Sequence, residues 1–554
     1  MSEREKELIE RIVEMGETHN VEIKRMLYEK DLKLAGRKEK LIAQLKYITS
    51  DGPGVFIIGL EDIDGKRWEV YGLSRSQLES SERILKALCE EAGIRIVEEE
   101  IFETEYGYVG KYVLERAPLQ GVQISIGINV VGRVNAGKST LIGVMVTGKL
   151  DNGKGKARAF LLKHPQELKK GQTADLHQAV LGIDDDNKPI FLESPLNKEE
   201  LALALDRSRK IIIFHDAPGH AEYAKTMIRS VLGQDAQYGL VLIPANDEYK
   251  IIVSEEMRTG RPRLDEITRE HMLLLINQGL PFMVAISKID TVSREALLKV
   301  MTIVKKTLKD IGKVPLVVRT LQDVNIAARE LPHGSIVPIF QISTTTGIGI
   351  NLLRELITKL PPTVSDDLLS KPALAYIDKV YRGISGTNVV VTGTVRSGVF
   401  KPGQTVIVGP DENGEFLEAR IATIEIFKKR VERVKAGDAF GIDLKKIDPK
   451  IVRRGQVIAD PDFPVKAVRT LEANIVVTRH PTRIVEGYSP VLHCHTVSQT
   501  VIFEKIYGKR YLVVGDFARV RMRFKFRPEM VLEGDKIVTR ESNTRTIGTI
   551  IAVH

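Results

Sequence analysis

The chain has 554 residues, a formal charge of +9 and 43% hydrophobic residues. That length exceeds what one hydrophobic core organises, so several domains are expected. It holds no apolar run long enough for a membrane-spanning helix, and its first residues, Met-Ser-Glu-Arg-Glu-Lys, read as a charged helix start; neither a membrane partner nor a signal peptide is expected, and a cytoplasmic protein is. Two cysteines, Cys89 and Cys494, cannot build a disulfide framework, and no Cys-x-x-Cys pair suggests a zinc knuckle. The positive balance favours polyanionic partners.

Residues 1–118 read as a small α+β appendage. A charged helical pattern covers Glu5–Met15, and a mixed basic segment follows with Lys33, Arg37, Lys38, Lys40 and Lys46. Asp51-Gly52-Pro53-Gly54 breaks the chain. Val55–Leu60 and Trp68–Tyr71 read as strands joined at Asp64-Gly65. Ser76-Gln77-Leu78-Glu79 reads as a capping box opening a helix that Gly93 stops. Leu85, Leu88, Cys89 and Ala92 fall on one face of it, which makes Cys89 a core residue. Ile94–Val97 and Tyr108–Leu114 are further strands, and no catalytic constellation is visible.

Residues 121–362 read as an α/β domain with a phosphate-binding loop. The apolar run Ile124–Val131 leads into Gly132-Arg-Val-Asn-Ala-Gly-Lys-Ser139, which fits G-x-x-x-x-G-K-[ST] between a strand and a helix. Gly132 and Gly137 let the backbone curl so that N–H groups point at phosphate oxygens, and the helix N-terminus adds positive charge; Asn135, Ala136, Gly137, Lys138, Ser139 and Thr140 are the candidate nucleotide-binding residues. Lys138 would reach the β- and γ-phosphates and the Ser139 hydroxyl would bind Mg²⁺. A second apolar run, Ile211–Phe214, ends in Asp216-Ala-Pro-Gly-His220: Asp216 can hold Mg²⁺ through water and the Gly219 N–H can meet the γ-phosphate. A third, Phe282–Ile286, ends in Ser287-Lys288-Ile289-Asp290. The Asp290 carboxylate can accept from guanine N1–H and the 2-amino group together, a donor pair adenine lacks, and Lys288 can cover the ring with its stem. A fourth, Ile336–Ile342, ends in Ser343-Thr344-Thr345, placed for a backbone contact to guanine O6. Ligands in open α/β sheets sit at the carboxyl ends of strands, where all four segments lie.

Thr173, in Lys170-Gly-Gln-Thr-Ala-Asp175, is the candidate switch residue, completing the Mg²⁺ shell only when the γ-phosphate is present; an ordinary surface threonine is the competing reading. Asp184–Lys198 reads as an exposed hairpin, Glu248–Arg263 as a charged insertion, Asp265–Asn277 as a helix, and Ala221–Leu232 as a helix that His220 could cap. Beyond Pro361-Pro362 the pattern changes to short β runs between Gly and Asp turns, which fits two β-barrels at 369–461, with a turn at Asp411–Gly414, and 465–554.

In the last of these, Arg519, Arg521, Arg523, Lys525 and Arg527 alternate with Val520, Met522, Phe524 and Phe526. On a strand this puts five cations on one face, suited to phosphate backbone; a solvated face with acidic cross-strand neighbours is the alternative. In His493-Cys494-His495 the same alternation puts the two histidines opposite Cys494, which disfavours a metal site.

Taken in order, these segments resemble the translational GTPases, and most closely the GTP-binding protein 1/2 branch related to elongation factors 1-alpha and Tu. Asn135–Thr140 resembles that branch's Asp-Ala-Gly-Lys-Ser-Thr, Gly171-Gln172-Thr173 its Gly-Arg-Thr switch, and Asp216–Lys225 the elongation factors' Asp-Cys-Pro-Gly-His-x-x-Tyr-x-Lys. Leu264–Gly279, Gly386–Gly393, Gly487–Leu492 and Cys494-His495-Thr496 extend the likeness over residues 50–554. The resemblance implies that GTP and GDP with Mg²⁺ are the ligands, and that His220 orients the attacking water when a large partner triggers hydrolysis. Val134 can belong to an apolar gate for His220 or simply to the core. Asn135 in place of the usual Asp weakens the case for a monovalent cation, and Ser287 in place of Asn implies a weaker contact to the phosphate loop. The resemblance further implies a monomeric GTP hydrolase acting with aminoacyl-tRNA and the ribosome. The alternative is a GTP-controlled adaptor in RNA surveillance that recruits a nuclease.

Overall fold

A computed structural model of the protein describes residues 17, 20–49, 53–63, 68–116, 124–159, 177–217, 228, 231–233, 236–246, 264–362, 366–383, 387–426, 429–480, 482–541 and 544–554. The Glu5–Met15 helix, the Asp64-Gly65 turn, most of Ala221–Leu232 and the insertion 248–263 lie outside these residues. Two compact units emerge: one of residues 1–121, 196–206 and 425–432, the other of the remainder.

The first unit is built on a four-stranded sheet in the order β1-β2-β6-β5. Its elements in chain order are β1 Val21–Lys24, α1 Glu29–Lys33, α2 Ala35–Ile48, β2 Gly54–Ile58, β3 Leu60–Asp62, β4 Trp68–Val70, α3 Arg75–Ala92, β5 Ile94–Thr104 and β6 Gly107–Arg116. Strand alternation loads both faces. Phe56, Ile58, Tyr112 and Leu114 pack with Leu45 of α2 and Leu85, Leu88 and Cys89 of α3, while Ile57 and Val109 join Leu60 and Phe102 in a second cluster. Cys89 is a core residue as expected, its thiol pushed up to about 12 by burial. The capping box of α3 begins two residues before Ser76: the extended Ser74 is the cap, its hydroxyl accepts from Gln77 N at 3.3 Å, and Gln77 Oε1 accepts from Ser74 N at 2.9 Å. Gly93, at φ +69°, ends the helix as expected. The basic segment is two helices, α1 and α2. Against α2 packs Lys198–Asp206 (α5, where α4 is Lys138–Thr147 of the second unit).

The second unit carries an eight-stranded sheet of β7 Ile124–Val131, β8 His177–Ile183, β9 Pro189–Ile190, β10 Lys210–Asp216, β11 Tyr238–Pro244, β12 Phe282–Ser287, β13 Val314–Val317 and β14 Ile336–Gln341. The order is β13-β14-β12-β11-β7-β10-β8-β9, parallel from β13 through β10 and antiparallel beyond. Every residue of β10, β11 and β12 is buried, as strands covered on both faces require. Its described helices include α4, α6 Glu266–Asn277, α7 Arg294–Asp310, α8 Leu321–Glu330 and α9 Ile350–Lys359. The hairpin expected at Asp184–Lys198 is present but stops at β9; residues 191–197 are irregular and α5 begins only at Lys198.

The chain continues through α10 Asp366–Ser370 into two barrels. The first holds β15 Leu374–Arg382, β16 Val389–Ser397, β17 Val399–Phe400, β18 Thr405–Gly409, β19 Leu417–Ile426, β20 Lys429–Arg430, β21 Val434–Lys435, β22 Ala439–Lys445 and β23 Val457–Ala459, and pairing of β18 with β19 closes its six-strand ring. Its turn after β18 is where Asp411 accepts from Asn413 N and Glu415 N, each at 2.8 Å. The second barrel closes in the order β24-β27-β26-β25-β28-β29, from β24 Thr470–Arg479, β25 Val491–Cys494, β26 Val497–Ile506, β27 Phe517–Phe524, β28 Lys536–Glu541 and β29 Thr544–Val553. The barrels share one apolar cluster in which Tyr376 and Val457 of the first meet Leu492 and Val497 of the second. Tyr376 stacks on His495 at 4.4 Å, and Arg453 pairs with the buried Glu529 at 3.0 Å. Helix α6 joins the α/β domain to the second barrel: Glu266 pairs with Arg479 at 3.2 Å, Glu270 with Arg545, and Val538 enters the cluster of Met272 and Leu275.

Lys210 opens β10 and is 6% exposed; its ammonium donates to Thr358 O at 2.7 Å and Leu360 O at 2.9 Å, tying the end of α9 to the sheet. A cation at a helix C-terminus satisfies carbonyls that have no partner within the helix. Lys210→Met is expected to lower unfolding free energy by about 1–3 kcal/mol, the cost of stranding buried carbonyls, read as a lower urea midpoint at unchanged slope.

Candidate nucleotide-binding site

The carboxyl ends of β7, β10 and β12, with the segment after β14, supply the candidate site. Between β7 and α4 the chain makes a tight loop. Gly132 sits at φ +147°, and a Cβ there would come within 2.5 Å of Leu242 O, so only glycine fits. Asn135 (φ +63°) and Gly137 (φ +92°) complete the turn into α4. Lys138 is 7% exposed and its ammonium donates to Gly132 O at 2.9 Å and Arg133 O at 3.1 Å. Burial lowers its pKa to about 8, against the upward pull of Asp216. Ser139 Oγ donates to Asp216 Oδ2 at 2.5 Å, so the phosphate loop and the second strand end are directly joined. Two hard oxygen donors side by side at a buried strand end fit a divalent cation such as Mg²⁺.

The third and fourth segments meet the same loop. Ser287 Oγ donates to Ala136 O at 2.7 Å in a buried bond. The expected contact to the phosphate loop is present, made by the short serine hydroxyl from the end of β12. Lys288 adopts φ +58°, and Asp290 follows in an exposed turn. Thr345 Oγ1 donates to Asp290 Oδ2 at 3.0 Å, and Ser343 Oγ lies 2.9 Å from Thr345 Oγ1. Asn135, Ala136, Gly137, Lys138, Ser139, Thr140, Asp216, Ser287, Lys288, Asp290, Ser343, Thr344 and Thr345 therefore lie on the loops along one sheet edge. Thr173, Gly219 and His220 lie outside the described residues.

Sequence reading missed Asp151. Its carboxylate accepts from Gly153 N at 2.9 Å, Gly155 N at 3.1 Å and Ala157 N at 2.9 Å, and its own N–H donates to Thr344 O at 2.9 Å. The segment after α4 is thus bonded to the loop after β14. Asp-Asn-Gly, a turn signal, was the available clue. His271 was also missed; burial first, then the Lys138 charge, lower its pKa to about 3, so this imidazole is neutral at working pH.

Two other candidates change. The arginines of segment 519–527 face carboxylates: in β27 Arg519 pairs with Glu472 and Arg523 with Glu504 at 2.6 Å, while Arg521 lies 3.7 Å from Glu504; beyond the strand Arg527 pairs with Glu529 at 3.2 Å. The strand ends at Phe524, so Phe526 is exposed and does not join the inner face. The expected split of two histidines from Cys494 also fails. Strand β25 ends at Cys494, and His495 turns at φ +48°, so Cys494 Sγ (3.8 Å) and His495 Nε2 (2.8 Å) both meet Asp535.

Comparison with known proteins is consistent along the chain. The Elongation factor Tu GTP binding domain family matches residues 124–363, Elongation factor Tu domain 2 matches 388–459, and the Elongation factor Tu C-terminal domain matches 464–550. GTP-binding protein 1 of Xenopus laevis is 30% identical over 93% of this chain and 76% of its own length. The chain belongs to the GTP-binding protein 1/2 family. Human GTP-binding protein 2 is 29% identical, over 93% of this chain and 84% of its own. Elongation factor 1-alpha of Methanopyrus kandleri is 29% identical over 72% of this chain and 89% of its own. Among solved structures, a bacterial selenocysteine-specific elongation factor shares the fold at TM-score 0.53 and 19% identity, over 76% of this chain and 58% of that longer one. The elongation factor SelB of Methanococcus maripaludis with GppNHp shares it at 0.52 and 20%, over 78% and 80%.

The Ser287–Ala136 bond links the end of β12 to the loop between β7 and α4. Ser287→Ala is expected to speed dissociation of a fluorescent GDP about 3- to 10-fold, the scale of one lost hydrogen bond. Stopped-flow displacement measures it.

Proposed function

We propose that this GTP-binding protein 1/2 family member is a GTP hydrolase that switches between GTP and GDP forms and acts with aminoacyl-tRNA and the ribosome. The observation that carries the nucleotide reading is the junction of Lys138 and Ser139 with Asp216, together with Asp290 on the same sheet edge. In this reading loop N–H groups and Lys138 hold the phosphates, and Asp290 selects guanine. Mg²⁺, when bound, neutralises charge on the β- and γ-phosphates; Ser139 and Thr173 would hold it, with Asp216 acting through water. Phosphoryl transfer requires chiefly positioning and charge, and His220 is the residue assigned to orient the water.

The macromolecular partners are inferred from kinship with elongation factors and from the +9 charge. On β27 a polyanion would compete with Glu472 and Glu504 for the exposed arginines. Sequencing RNA that co-purifies with the GTP-locked protein tests this directly: enrichment of tRNA and ribosomal RNA is expected, and its absence overturns the translational role.

Asp290→Asn is expected to shift preference from GTP toward xanthosine triphosphate, because an amide can donate to the 2-oxo group; competition binding with both nucleotides decides it. His220→Ala is expected to leave GTP binding intact and lower ribosome-stimulated single-turnover hydrolysis by about 100-fold. Equal stimulation of both proteins would reduce His220 to a helix cap.

A further inference from the structure

The loop after β14 carries more than a backbone contact. Ser343 is fully buried, and its Oγ accepts from Thr346 N at 3.1 Å. Its one hydroxyl proton is within reach of Thr345 Oγ1 at 2.9 Å and of the Asp290 carboxylate. The Thr345 hydroxyl in turn lies 3.0 Å from Asp290 Oδ2. An ionised carboxylate only accepts, so Thr345 must be the donor there. Thr346 N–H thus fixes Ser343, and the two hydroxyls of Ser343 and Thr345 close on Asp290, with Thr345 the donor at 3.0 Å to Oδ2.

Asp290 needs such a hold. It is exposed, in a short 3₁₀ turn that follows a left-handed residue, and a free aspartate rotates easily about its second side-chain torsion. Burial tends to raise its pKa, but hydrogen bonds from Ser343, its own backbone and Thr345, with the Lys288 charge, outweigh this and leave it below the usual range. The carboxylate is thereby kept ionised and oriented.

We infer that Thr345 is a positioning residue for base selection, orienting Asp290 so that both carboxylate oxygens meet the guanine edge at once. This rests on the assignment of Asp290 as the guanine reader. The two contacts differ in what they demand. A single bond from N1–H survives rotation of the carboxylate, because either oxygen can take it. Simultaneous bonds from N1–H and the 2-amino group require the carboxylate plane to be held. Inosine triphosphate has N1–H but no 2-amino group, so it reports the first contact alone.

Affinities for GTP and ITP are to be measured by competition against a fluorescent GDP, using the full chain. Thr345→Val keeps the shape and removes the donor. It is expected to lower the GTP:ITP affinity ratio by about 3- to 10-fold, with most of the loss on GTP. Thr345→Ser, which restores a hydroxyl, is expected to return the ratio to that of the parent. Thr345→Ala serves as a second donor-free variant where valine impairs folding. A ratio unchanged in the donor-free variants overturns the inference, even with both affinities reduced equally, because that pattern marks general loosening of the loop. Asp290→Asn separates the two levels. If it shifts preference toward xanthosine triphosphate while Thr345→Val leaves the GTP:ITP ratio alone, only the role of Thr345 falls. If it leaves base preference unchanged, the assignment of Asp290 falls and that of Thr345 with it.

Discussion

The parallel sheet is the constraint on which the rest depends. Strands β7, β10, β11, β12 and β14 run the same way and are buried on both faces, so their carboxyl ends arrive together at one edge. Each strand must end where its apolar run ends, and polar residues begin there. Asp216, Ser287 and Ser343 mark three such ends, and the phosphate loop wraps a fourth. The sheet thereby converts segments spread over two hundred residues of chain into one site, held together by short bonds such as Ser139–Asp216 and Ser287–Ala136.

Buried charge in this protein is placed where backbone carbonyls or counter-charges receive it. Lys138 is held by the carbonyls of its own loop and Lys210 by those ending α9. Glu529 is surrounded by Arg453, Arg527 and Gln499. An unpaired charge at any of these depths would be costly, so each has a partner that a sequence scan does not show. The same principle applies to the basic strand. Its arginines look uncompensated in one dimension, but Glu472 and Glu504 lie on the flanking strands β24 and β26.

Helix α6 has two roles at once. Its buried cap Asp265 and the neutral His271 lie on the nucleotide-domain side, where the Lys138 charge is felt, while Glu266 and Glu270 pair with Arg479 and Arg545 of the last barrel. One rigid element therefore touches both the phosphate-binding domain and the barrel. Asp151 does the same on a smaller scale, bonding the segment after α4 to the loop after β14.

The sequence alone determined the fold class and the motif positions, because these depend on local signals. Apolar runs of strand length, glycines where backbone must turn left-handed, and the phosphate-loop spacing are all properties of consecutive residues. They placed β7 at Ile124–Val131 and ended α3 at Gly93. Small errors arose where a local signal was duplicated: Ser74 and Ser76 both precede a glutamine or glutamate three residues on, and only backbone conformation chose Ser74. Tertiary structure decided which side chains meet across the chain. Thr345 and Asp290 are 55 positions apart, Ser287 and Ala136 are 151 apart, and Arg519 and Glu472 are 47 apart. Period-two alternation says which face a residue takes, but not what the neighbouring strand brings to that face, nor where the strand stops, as His495 and Phe526 show. Those outcomes depend on pairing and register, which are set by the packing of the whole sheet or barrel rather than by any one segment.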